Sequence, residues 1–129
     1  MKTFGKLLTI DIWLKNCHAD DYVQNIKKYV ESHFCVVGEI EKKFEPYGMT
    51  SVLVLSESHF SIHTYPEHNY ISIDLYICNE FVSLEKTKND LLSLLPYEHE
   101  QSHIQTRGVR EELNSILIQK MNTNIMQNS

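Results

Sequence analysis

Between Leu55 and Cys78 the chain reads LSESHFSIHTYPEHNYISIDLYIC, a run that alternates like β-strand yet carries three histidines, a Glu-Ser peptide and a cysteine. No other stretch constrains the fold so tightly. Alternation with period two demands extended, half-buried strands, and Pro66 to Asn69 supplies a turn between them. Polar side chains this dense inside strand-forming sequence are costly to bury without a use for them. The stretch therefore reads as a reactive site.

The flanking sequence builds a frame for it. Lys6 to Leu14 (KLLTIDIWL) predicts a first strand, and Asp20 or Asp21 predicts the N-cap of a helix. That helix runs from Asp21 to Phe34, with Tyr22, Val23, Ile26, Tyr29, Val30 and Phe34 at helical spacing. Cys35 to Phe44 alternates as a half-exposed strand, Pro46-Tyr47-Gly48 is a turn, and the apolar Thr50 to Leu55 delivers the chain into the reactive stretch. Ser61 to Thr64 continues as strand and Tyr70 to Cys78 reads as a buried one. Leu84 to Leu95 predicts a second helix ending before Pro96, and His103 to Val109 a last short strand. Beyond Arg110, EELNSILIQK has a helical pattern, and MNTNIMQNS is a polar tail. The order, free of repeats and linkers, predicts a single domain over residues 1–129. Its class is α+β: a two-layer sandwich, with helices on one face of a mainly antiparallel sheet.

Charge narrows the partners. With a formal charge of −5, and Lys27-Lys28 and Lys42-Lys43 lying beside acidic residues, the chain lacks the basic surface that nucleic acids require. No segment is long and apolar enough for a membrane span or shaped like a signal peptide. Cys17, Cys35 and Cys78 make an odd count without CxxC spacing, as expected of free thiols in a reducing cytoplasm.

The residue types leave three chemical readings open. If Ser58 sits at a sharp bend, His63 on the following strand folds back toward it, with Cys78 brought to the same sheet end by the Pro66–Asn69 turn. Ser58, His63 and Asp74 then suggest a hydrolase, although no GxSxG elbow is present. His59, His63 and His68 suggest a metal site, without an HExxH or cysteine pair in support. The bland alternative is a set of exposed or hydrogen-bonded loop histidines.

The run Glu57-Ser58-His59-Phe60-Ser61-Ile62-His63-Thr64-Tyr65-Pro66-Glu67 resembles the processing site of the prokaryotic S-adenosylmethionine decarboxylase proenzymes, and Cys78 stands at the spacing of that family's catalytic cysteine. Lys43-Phe44-Glu45-Pro46-Tyr47-Gly48 is similar to the family's KFSPQG-like segment, and Phe4 to Leu8 to its opening strand. The resemblance covers residues 4 to 80 well and the remainder in pattern and length.

It implies a pyruvoyl-dependent enzyme that makes its own cofactor. The Ser58 hydroxyl attacks the Glu57 carbonyl, β-elimination cuts the chain into a β chain (1–57) and an α chain (58–129), and Ser58 becomes the pyruvoyl group. A distorted Glu57–Ser58 linkage is expected, because attack on a relaxed amide is slow. His63 is implied in proton transfer during processing, with Thr50 in support. In turnover the substrate amine forms a Schiff base with the pyruvoyl carbonyl, and Cys78 returns a proton to the substrate. Phe44 and Tyr65 match the rings that stack on adenine, and Glu67 the carboxylate that grips the ribose. The implied substrate is S-adenosylmethionine, consumed for spermidine synthesis. The implied assembly is a homodimer of processed αβ units whose sites draw residues from both subunits. No metal is implied.

Two alternatives accompany that expectation. Asn79 replaces a common glycine and Tyr65 a common tryptophan, which keeps open a same-fold decarboxylase of arginine or ornithine. A catalytically inactive partner subunit is the third reading, disfavoured because Ser58, His63 and Cys78 are all present.

Overall fold

The computed structural model describes residues 4–110 and 120–121. Strand β1 (Gly5–Leu14) leads through a 3-10 turn (Ala19–Tyr22) into helix α1 (Val23–His33). Strands β2 (Val36–Lys43), β3 (Met49–Leu55), β4 (Ser58–Tyr65) and β5 (Tyr70–Ile77) follow, with a second 3-10 turn (Pro66–His68) between the last two. Helix α2 (Leu84–Ser93) and strand β6 (Tyr97–Arg107) complete the described fold. The six strands form one sheet in the order β2-β3-β4-β5-β1-β6, and every pairing is antiparallel. This is the α+β sandwich that the sequence predicts.

Strand alternation assigns the two faces. Leu8, Ile10, Ile12 and Leu14 of β1 line up with Ile71, Ile73 and Leu75 of β5 and with Phe60 and Ile62 of β4, all essentially buried. Val23, Ile26 and Val30 of α1 and Leu84, Leu91 and Leu92 of α2 share that one core. Each such side chain contributes about 1.5–3 kcal/mol by leaving water. The opposite face carries Trp13, Asp11, His59, His63, Tyr70, Ser72, Asp74 and Tyr76 at half-buried or exposed positions, and among the described residues no α1 or α2 side chain packs on it.

Two boundaries that bear on the site differ from the sequence reading. Helix α1 starts at Val23, its N-cap Tyr22 makes no side-chain capping bond, and so neither Asp20 nor Asp21 is the cap; Asp20 is spent elsewhere, as shown below. Strand β6 begins at Tyr97 rather than His103, because an edge strand with one neighbour tolerates polar residues on both faces and so hides its alternation. Helix α2 is capped by Ser83, whose hydroxyl accepts from the Lys86 amide at 3.2 Å. The pattern read over EELNSILIQK and the tail after it fall, apart from Lys120 and Met121, outside the described residues.

Candidate active site

Leu55 and Ser58 pair across the β3–β4 ladder, which leaves Ser56 and Glu57 as a two-residue hairpin turn. Such turns call for positive φ and so favour glycine or asparagine. Here Glu57 takes the left-handed conformation, with φ of +65°, at a cost of about 1–2 kcal/mol for a residue bearing a Cβ. The strain sits on the residue whose carbonyl belongs to the Glu57–Ser58 peptide.

Cys78 closes on that peptide from the end of β5. Its thiol donates to the Glu57 carbonyl oxygen at 3.0 Å, and its backbone amide donates to Ser58 Oγ at 3.3 Å. One residue therefore polarises the carbonyl while fixing the neighbouring hydroxyl oxygen. Asn79, which follows, shapes the next turn: its Oδ1 accepts from the Phe81 amide at 2.9 Å and its carbonyl from the Val82 amide at 3.3 Å. A cavity of about 310 Å³ opens on Glu57 and Ser58 beside Cys35 and Asn79. A second, of about 300 Å³, flanks Cys78 from the side of Lys6 and Phe81.

Phe44, Thr50, His63, Tyr65 and Glu67 gather at the other end of β4, whereas His59 lies at the Ser58 end and Asp74 opposite Ser61 in mid-strand. Thr50 and His63 lie directly opposite each other on β3 and β4, with Thr50 Oγ1 and His63 Nδ1 2.9 Å apart. Together with Phe44, Tyr47, Tyr65 and Glu67 they line a cavity of about 310 Å³. Tyr65 stacks on Tyr70 at 5.4 Å, and Trp13 lies against Tyr70 at 5.1 Å with its ring tilted by 32°. The Tyr70 hydroxyl donates to the Asp11 carboxylate; burial first, and then this bond, push its pKa up to about 12. Exposed rings around a carboxylate suit a flat base, a cation and hydroxyl donors.

His63 therefore does not fold back on Ser58. Five residues of extended strand separate them, about 17 Å at the rise of antiparallel strand, and Ser58 faces the helix side whereas His63 faces the open side. Ser58 and Cys78 do share a sheet end as expected, but a Ser58–His63–Asp74 hydrolase site is not assembled within one chain. Nor does the strand bring His59, His63 and His68 together: His59 stacks on Tyr76, His68 ends the turn after Pro66, and no group of three metal-ligating side chains occurs among the described residues. Among those residues, too, no helix is long and apolar enough to cross a membrane.

The sequence reading missed Asp20. One of its carboxylate oxygens accepts from the Gly48 amide at 2.9 Å and the other from the Thr64 hydroxyl, so it links the β2–β3 loop to β4 rather than capping the helix. The signal was present as an acidic residue ahead of a helix, but capping explained it equally well.

A family model described as S-adenosylmethionine decarboxylase matches residues 18–108. An S-adenosylmethionine decarboxylase proenzyme 2 of Bacillus cereus is 36% identical over 118 residues, spanning 84% of this chain and 93% of that protein. An S-adenosylmethionine decarboxylase proenzyme of Methanococcus maripaludis is 33% identical over 117 residues, spanning 87% of this chain and 96% of that one. The crystal structure of the adenosylmethionine decarboxylase from Aquifex aeolicus superposes with a TM-score of 0.69 at 25% identity, covering 87% of this chain and 97% of that one.

Proposed function

The chain belongs to the S-adenosylmethionine decarboxylase family, and we propose that it is a self-processing decarboxylase of S-adenosylmethionine that converts its own Ser58 into a pyruvoyl group. The observation that carries this reading is Glu57 in a left-handed turn with the Cys78 thiol on its carbonyl oxygen and the Ser58 hydroxyl beside it. Those contacts suit the precursor of a pyruvoyl group: a strained, polarised carbonyl next to the nucleophile that must attack it.

In the processing step Ser58 Oγ attacks the Glu57 carbonyl carbon, the hydroxyl proton passes to the Ser58 nitrogen, and the peptide C–N bond breaks to leave an ester. Removal of the Ser58 α-proton then expels the Glu57 carboxylate, ending the β chain at residue 57. Water replaces the nitrogen of the remaining dehydroalanine and ammonia leaves. His63 carries protons in these steps and Thr50, bonded to its Nδ1, orients the ring. When formed, the pyruvoyl group supplies the electron sink for loss of carbon dioxide. Cys78, already at the Ser58 end of the sheet, returns a proton to the substrate. Phe44 and Tyr65 hold the adenine, and Glu67 the ribose hydroxyls.

Separation of Ser58 from His63 by the length of β4 is the reason to propose a homodimer. A second copy that supplies its Thr50–His63 pair to the sheet end carrying the Glu57–Ser58 turn of the first would close that gap. The open sheet face presents Ile40 on β2 and Val54 on β3, both large and exposed, as an interface does. The processed αβ units remain one domain. The free Cys17, Cys35 and Cys78 fit a cytoplasmic enzyme.

Intact-mass measurement under denaturing conditions tests processing. Two fragments are expected, divided between Glu57 and Ser58, the second lighter by one ammonia than a serine-initiated chain; a single uncut chain overturns the reading. Carbon dioxide release from S-adenosylmethionine tests the substrate, and release from arginine or ornithine alone refutes it.

A further inference from the structure

The cavity that holds Phe44, His63, Tyr65 and Glu67 has two walls from different parts of the chain. One is the β2–β3 loop, which carries Phe44 and Tyr47; the other is the end of β4 and the turn after it. The loop is drawn into a ring by the Phe44 amide, which donates to the Gly48 carbonyl at 2.8 Å. Gly48 has φ of +98°, and a Cβ there would lie 3.3 Å from the Thr64 carbonyl oxygen and 3.7 Å from Pro66 Cδ. The two walls thus meet closely at Gly48, where the positive φ and the 3.3 Å approach both disfavour a side chain.

One carboxylate holds both walls. Asp20 Oδ2 accepts from the Gly48 amide at 2.9 Å, and Oδ1 accepts from the Thr64 hydroxyl. Thr64 Oγ1 in turn accepts from the Met49 amide at 2.8 Å, which directs its own proton to Asp20. Thr64 is itself flanked by His63 and Tyr65. Asp20 belongs to the 3-10 turn ahead of α1 and lies on the far side of the loop from the cavity, where a second opening holds it beside Gln24 and Tyr47. Charge-assisted bonds of this kind are the strong ones, and a carboxylate can satisfy both donors at once.

We propose that Asp20 is the positioning residue of the substrate cavity, a carboxylate outside it that ties the Phe44–Gly48 loop to β4 and so sets the affinity for the bound nucleoside. The identity of that nucleoside rests on the reading under Proposed function; the tether does not.

The test compares wild type, Asp20→Ala, Asp20→Asn and Thr64→Val. Amide hydrogen exchange reads the tether without substrate, and steady-state decarboxylation of S-adenosylmethionine, with kcat normalised to the pyruvoyl-bearing chain, reads its consequence. In Asp20→Ala the Phe44 and Gly48 amides are expected to exchange about ten-fold faster while β1 keeps its protection. KM is expected to rise about ten-fold, with kcat within about two-fold. Asp20→Asn keeps one acceptor oxygen and is expected to fall between; Thr64→Val is expected to raise KM in the same direction. Unchanged loop exchange overturns the proposal. So does protection lost equally from β1, or kcat falling with KM unchanged. Should Asp20→Ala not fold, Asp20→Asn carries both readouts. If wild type never turns over S-adenosylmethionine the functional reading fails, and the exchange result still decides the tether.

Discussion

The Cys78 thiol lies 3.0 Å from the Glu57 carbonyl oxygen and donates to it, while the Cys78 amide holds Ser58 Oγ at 3.3 Å. The residue assigned to turnover therefore also touches the bond that must break first. Cys78→Ala removes one donor from the carbonyl and keeps the amide. It is expected to slow self-cleavage about ten-fold, the worth of one hydrogen bond in the reacting geometry, and to slow decarboxylation by about a hundred-fold or more, because the proton donor is gone. Timed denaturing gels and single-turnover carbon dioxide release separate the two rates. Equal losses in both contradict the division of roles.

Glu57→Gly relieves the left-handed strain at φ of +65°. The uncleaved form is expected to gain about 1 kcal/mol in chemical denaturation of the Ser58→Ala background. In the background with Ser58 intact, self-cleavage is expected to be several-fold slower, since the ground state is no longer lifted. Faster cleavage in the glycine variant shows that the strain plays no part in processing.

His63→Ala and Ser58→Ala are each expected to remain uncut when made alone. Mixed under conditions that exchange subunits, they are expected to yield cut His63→Ala chain, since that chain keeps Ser58 and borrows His63 from its neighbour. Mass spectrometry identifies which chain is cut. Absence of cutting in a mixture shown to contain mixed dimers shows that His63 acts within its own chain.

Tyr29 and Tyr70 both have pKa values pushed up to about 12, in each case by burial first and then by a carboxylate, Asp90 and Asp11 respectively. A folded pKa above the unfolded value near 10 means that the unfolded chain loses these protons first. Their contribution is complete below about pH 10 and is lost as pH rises toward 12. Stability is expected to fall over that window, and less steeply in Tyr29→Phe and in Tyr70→Phe. Denaturant midpoints between pH 9 and 11.5 measure it; parallel slopes for wild type and both variants contradict it.

The reactive turn was legible because a Glu-Ser peptide at a strand boundary, with Cys78 one hairpin away, leaves antiparallel pairing few other arrangements. His63 was misplaced for a reason of length: spacing of five residues looks close in sequence, yet extended backbone carries it to the far end of β4. Asp20 was misassigned because an acidic residue before a helix satisfies capping as readily as a contact to Gly48 and Thr64, 28 and 44 residues away in sequence. Strand β6 was half missed because an edge strand need not alternate. The Asp20 miss concerns partners distant in sequence, which periodicity does not encode.

Sheet order has a consequence for what cutting can do. The cleavage proposed between Glu57 and Ser58 would leave β1, β2 and β3 on one fragment and β4, β5 and β6 on the other, yet β1 lies between β5 and β6. Those two fragments would be interlocked: releasing one means unzipping β1 from both neighbours, ten paired residues on one side and eight on the other, and β3 from β4. Cutting there would therefore leave the assembly intact but make it a one-way history. A chain that folded as one molecule would have to find its other half again after unfolding, so refolding becomes bimolecular and concentration-dependent. Persistence of the processed protein then depends on how slowly it unfolds.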